Sequence, residues 1–86
     1  MTPIEIAHLS IKHKKMVCKL CKDKIPPAEE ELVEDGYSYA VMKLLEDPTH
    51  VTPGDMFVQL VHISINWIGR QVNQDTQLKK QIEGTR

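Results

Sequence analysis

The chain has 86 residues, enough for one small domain over 1–86, and domains of this size gain stability from a disulfide, a metal or further copies. Its four aromatic residues, Tyr37, Tyr39, Phe57 and Trp67, leave the core to aliphatic side chains, and its net charge of −1 lacks the basic excess usual for nucleic-acid binding. The near-neutral total conceals segregation. Residues 1–25 carry six lysines against Glu5 and Asp23, residues 26–55 carry eight acids against Lys43, and residues 56–86 carry four basic groups against two acids. Such blocks either pair within one protomer or steer docking between molecules.

The first helix is expected over about residues 3–22. Thr2-Pro3-Ile4-Glu5 supplies an N-cap hydroxyl, proline at the first helical position and an acid at the positive end of the helix dipole. Ile6, Leu9, His13, Met16, Val17 and Leu20 recur at three- and four-residue steps and define its inward stripe. Lys12, Lys15, Lys19 and Lys22 lie on the flank of that stripe.

A second helix is expected over about residues 27–46, starting at Ile25-Pro26-Pro27 with Glu29, Glu30 and Glu31 in its first turn. Its apolar side reads Leu32, Val33, Gly36, Tyr37, Ala40, Val41, Leu44 and Leu45. Gly36 costs about 1 kcal/mol relative to alanine in a helix interior, so it marks either a close packing point or a break. Asp47-Pro48 ends the segment.

The third helix is expected over residues 53–72, with an extension to 83 or a short fourth helix as the alternatives. Thr52-Pro53-Gly54-Asp55 repeats the first start signal. Phe57, Val61, Ile65, Ile68 and Val72 form one stripe; Met56, Leu60, Ile63 and Trp67 form another beside it. A helix apolar around most of its circumference requires cover on most sides. Two companion helices leave part of it bare, which places Met56, Phe57, Leu60, Val61, Ile65, Trp67 and Ile68 at an interface between copies. Leu78 and Ile82 continue the pattern more thinly. The fold class is therefore an all-α bundle of three helices, or four, assembling into a homo-oligomer.

No secretory signal is visible, and the apolar stretch Met56–Ile68 falls short of the roughly 20 residues that a membrane span needs. Two cysteines three positions apart make a poor disulfide framework and suit a reducing compartment. The expected location is the cytoplasm, that of the host if the chain is viral.

Cys18-Lys19-Leu20-Cys21 has the spacing of a zinc knuckle, with His13 or His8 as further ligands. On a straight helix His8 lies about 15 Å from Cys18 along the axis, at roughly 1.5 Å per residue, and no second knuckle follows. Ordinary core thiols are the favoured reading, no metal or other cofactor is expected, and a zinc-stabilised interaction module is an alternative. His62 stands among apolar neighbours with no nucleophile motif to activate, so no enzyme is expected. Lys12, Lys15 and Lys19 are candidate phosphate-binding groups, and Tyr37 and Tyr39 are candidates for stacking on a base. Absence of arginine from the lysine run argues against a reader of duplex sequence, leaving a small nucleic-acid-binding regulator as another alternative.

Residues 26–73 also carry a family resemblance. Pro26-Pro27-Ala28-Glu29-Glu30, the Tyr37–Leu45 segment, and Val61, Ile65, Trp67, Val72 and Asn73 resemble the phage-encoded anti-CBASS sponges, which sequester cyclic oligonucleotide signals of bacterial antiviral defence. The lysine- and cysteine-bearing first helix departs from that layout. The resemblance implies compact helical protomers in a symmetric oligomer, with anionic ligands held uncleaved at protomer junctions. Together these readings point to a non-enzymatic binding module that partners itself. It acts by sequestration or occlusion, as a viral antagonist capturing a signalling nucleotide or a host protein would.

Overall fold

The computed structural model describes residues 1–84, with side chains through Gln74. Its first helix, α1 (Pro3–Lys24), begins on a reciprocal cap. Glu5 N–H donates to the Thr2 hydroxyl at 3.2 Å while the Glu5 carboxylate accepts from Thr2 N–H at 3.4 Å. Two otherwise orphaned backbone donors are thereby satisfied. The N-terminal amine donates to the carbonyls of Pro48 and Val51 at 3.0 and 3.1 Å, tying the start of α1 to the connection between the next two helices.

Helix α1 stops where Pro26 disfavours helical backbone at Ile25. Ala28 N–H then bonds back to the Ile25 carbonyl at 3.0 Å and closes a turn. Residues 27–29, placed in the second helix by the proline pair, form this turn and the cap instead. Helix α2 runs Glu30–Glu46, with Glu29 as an N-cap that makes no side-chain cap bond. After a 3₁₀ turn over Pro48–His50, α3 runs unbroken over Pro53–Gly84. The longer of the expected endings therefore holds, without a separate fourth helix. The side chains of Leu78 and Ile82 lie outside the described residues.

Among the described residues the architecture is three helices without strands, each packed on the other two. From α1 come Ile6, Ser10, Val17 and Cys21; from α2 come Val33, Gly36, Tyr37, Ala40 and Leu44. Met16, assigned inward by its spacing, is 56% exposed, because Val17 and Cys21 set the buried line one residue further round.

Helix α3 contributes Met56, Leu60, Ser64 and Ile68, a row at four-residue steps with each member fully enclosed. The row takes Met56 and Leu60 from one expected stripe and Ile68 from the other, and includes a serine that neither contained. Met56, Leu60 and Ile68 are thus covered by helices of their own protomer, which removes them from the surface where an interface between copies was expected. Phe57, Val61, Ile65 and Trp67 remain partly buried on either side of the row.

Gly36 explains how α2 comes so near that row. A Cβ at this position would lie 2.5 Å from Ile68 Cγ1, 2.9 Å from its Cδ1 and 3.2 Å from Trp67 Cε3. The glycine is a packing point, and α2 continues through it without a break. By contrast, a Cβ at Gly69 would meet only Ile25 Cδ1 at 3.9 Å, an ordinary contact.

These two positions separate backbone propensity from packing. Gly69→Ala should raise unfolding stability by about 0.5–1 kcal/mol, the gain from alanine in a helix interior. Gly36→Ala gains the same propensity but overpacks the crossing by about 1–3 kcal/mol, so a net loss of roughly 1 kcal/mol is expected. Urea unfolding followed by circular dichroism reads both, and opposite signs are the expected outcome.

Candidate functional site

The outer side of the α1–α2 hairpin forms a groove of about 520 Å³. Lys14, Lys15, Lys19 and Lys22 line it from α1, and Glu30 and Glu34 line it from α2. Its apolar surface comes from Ile11, Cys18 and Val33. A shallower depression continues it past Ile11 and Lys14 to Tyr37, Ser38 and Val41. The cause is helical phase. Ile4, Ile11 and Cys18 recur every seven residues, about 100–120° round α1 from its buried row at roughly 100° per residue. Ile4 and Ile11 therefore project outward and are 71% and 78% exposed.

The candidate lysines divide between places. Lys15 and Lys19 line the groove, joined by Lys14 and Lys22, whereas Lys12 is exposed outside that lining. Among the described residues, no lysine of the groove reaches salt-bridge distance of Glu30 or Glu34. Elsewhere among the described residues Lys43 pairs with Glu46 at 3.5 Å, and His50 lies 3.4 Å from Asp47, an ion pair when the imidazole is protonated. Opposite charges thus face each other across the groove without closing on one another.

The tyrosines have other placements. Tyr37 is 4% exposed, and its hydroxyl donates to the Ser10 carbonyl, bracing α2 against α1. Its ring is inside the core, where no base can stack on it. Tyr39 stacks on Trp67, with ring centroids 5.8 Å apart and planes 27° apart, and Lys43 Nζ stands 5.7 Å from its ring centre. These contacts lie toward α3 and outside the lysine-lined groove.

The cysteines also separate. Cys21 is fully buried, and desolvation pushes its thiol up to about 11, with the nearby Cys18 adding to the rise. Ser64 lies beside it and opposes that rise, although the Ser64 hydroxyl makes no hydrogen bond of good geometry among the described residues. Cys18 is half-buried in the groove; burial raises its pKa, Lys14 lowers it, and Glu34 and Glu30 raise it further. His13 turns its ring edge toward Phe57, with centroids 5.4 Å apart and planes 75° apart. His8 and His62 are exposed. Among the described residues, no three or more His, Cys, Asp or Glu side chains gather in a way that could hold a metal ion.

Sequence reading passed over Ile11, Lys14, Glu30 and Glu34 as members of one surface. The seven-residue recurrence of Ile4, Ile11 and Cys18 was the available signal. No helix is long and apolar enough to cross a membrane among the described residues. Comparison with protein families, curated proteins and solved structures finds no match to this chain.

The buried acids of the core predict an alkaline limit to stability. Cys21 rises from 9.0 to about 11, and desolvation raises Tyr37 from 10.0 to about 12. Both groups hold their protons to higher pH when folded than when unfolded, so their contribution is intact below pH 9 and is lost as pH climbs through 9–12. Urea midpoints should fall across that window, and Cys21→Ala should flatten the first part of the decline. An unchanged profile in Cys21→Ala would contradict this placement of the thiol.

Proposed function

We propose that the chain is a non-enzymatic helical binding module that acts by occupying a partner, and that it does so as an assembly of several copies. The observation that carries this reading is the apolar surface left after the core is filled. Ile4, Ile11, Met16, Met42 and Val58 are each more than half exposed. Exposed apolar groups on all three helices mark interaction surfaces more than they mark catalytic centres.

One part of that surface lies on α3. Val58, Val61 and Ile65 follow at three- and four-residue steps, on the side of the helix turned from the centre of its buried row. Val58 is 53% exposed, and Val61 and Ile65 are partly buried. The spacing matches the seam by which helices pair in bundles, where side chains of one helix fill gaps on another. Two copies meeting there would cover the flank that α1 and α2 leave open. The captured partner is then either a protein or an anionic nucleotide.

Light scattering over a concentration series tests the assembly. Wild-type chain should show a mass above that of one protomer, and Val61→Asp with Ile65→Asp should shift it toward a single protomer while the helical spectrum is retained. Because a buried charge opposes pairing by several kcal/mol, the dissociation constant should rise by roughly a hundredfold or more. An assembly unaffected by the two aspartates would remove α3 from the interface.

A further inference from the structure

We infer that the outer groove of the α1–α2 hairpin is a second, self-complementary contact, whose occupant is the same hairpin of another copy. This contact rests on the proposed assembly but uses a different surface from the α3 seam.

The case begins with the order of side chains along the groove. The hairpin is antiparallel, so Lys19 and Lys22 stand at the Glu30 end, Lys14 and Lys15 toward Glu34, and Ile11 beside Ser38 and Val41. Ile4, seven residues before Ile11, and Leu45, one turn beyond Val41, extend the apolar end and are 71% and 38% exposed. The two rims therefore carry opposite charges at the levels of Glu30 and Glu34 and mainly apolar groups beyond Ser38.

A two-fold axis running along such a groove exchanges the rims. It sets α1 of one copy over α2 of the other at the same height. The lysines of one copy then meet the acids of the other, and Ile4 and Ile11 meet Val41 and Leu45. Each residue class finds its complement twice, which is the requirement for an isologous interface. A rigid-body rotation supplies what a single protomer does not, because within one copy the lysines and Glu30 or Glu34 face each other without reaching salt-bridge distance. The two hairpins would form a four-helix layer with Cys18 enclosed in it.

Charge also selects against other occupants. A uniformly acidic partner would satisfy the α1 rim but place its charge against Glu30 and Glu34. The divided rim favours a surface divided in the opposite sense, and the rotated hairpin has that division. Like charges brought together would penalise the reversed docking.

A charge exchange tests the assignment without depending on a variant that fails to fold. One variant carries Lys14→Glu and Lys22→Glu; the other carries Glu30→Lys and Glu34→Lys. Alone, each sets like charges across the two-fold axis and should weaken the contact by about a hundredfold. Mixed in equal amounts, they present opposite charges at both rims and should restore it as a heterodimer. With one variant labelled in nitrogen-15, native mass spectrometry distinguishes that species by mass, and circular dichroism checks each variant.

Alkylation of Cys18 supplies a reading specific to this groove. In the wild type its rate should fall as concentration rises, and in each separate variant it should not. Loss of association in Val61→Asp with Ile65→Asp, combined with full association of both charge variants, would overturn the groove contact and leave the α3 seam standing. The reverse pattern would leave the groove contact and remove the seam. A wild-type chain that stays monomeric while retaining an acidic chain or a nucleotide in the groove would overturn the second-copy assignment.

Discussion

The close approach of α2 to α3 at Gly36 determines what the rest of the molecule presents. With no side chain at that point, Ile68 occupies the space a Cβ would need, and Trp67 packs beside it. The row Met56, Leu60, Ser64 and Ile68, whose last member meets this crossing, is shut inside the protomer. Burying each large apolar member stabilises the fold by about 1.5–3 kcal/mol, several times the roughly 1 kcal/mol that glycine costs its helix. Packing decides the residue at this position, and helix propensity loses.

Once that row is enclosed, the remaining apolar side chains have nowhere inside to go. A chain of 86 residues has too little interior for all of its Ile, Leu, Val and Met, and two parts of the excess fall on outer helix flanks. Val58, Val61 and Ile65 lie on the outer flank of α3; Ile4 and Ile11 lie on the outer flank of α1. Charge behaves in a similar way. The basic block of the sequence becomes one rim of the hairpin groove and part of the acidic block becomes the other. The core and the proposed contact surfaces are in this sense two halves of one distribution of side chains. In the proposed groove contact, the lysines that suggested phosphate binding match glutamates on a neighbouring copy.

Much of the fold was legible because its signals were local. Thr2 and Glu5 specify the start of α1 through hydrogen bonds within one turn, and Pro26 specifies its end through steric conflict at Ile25. Other features depended on the angle at which helices meet, which periodicity leaves open. The buried row of α3 draws on both expected stripes, since the axis of burial falls between them and takes in Ser64. Tyr37 looked suited to ligand stacking, yet its phenol also matches a backbone acceptor on α1, and the tertiary contact with Ser10 takes it. The groove went unread for a related reason: Ile11 and Cys18 belong to a minority pattern, weaker than the main stripe, that gains meaning only when α2 lies alongside.

The most direct measurement is a double-mutant cycle at the helix crossing, joining Gly36→Ala with Ile68→Ala and reading stability by denaturant unfolding. If the glycine exists to make room for Ile68, alanine at position 36 should destabilise the wild-type background and become neutral or stabilising once Ile68 is truncated. An equal cost of Gly36→Ala in both backgrounds would contradict the crossing, and with it the enclosure of the α3 row from which the outer surfaces are derived.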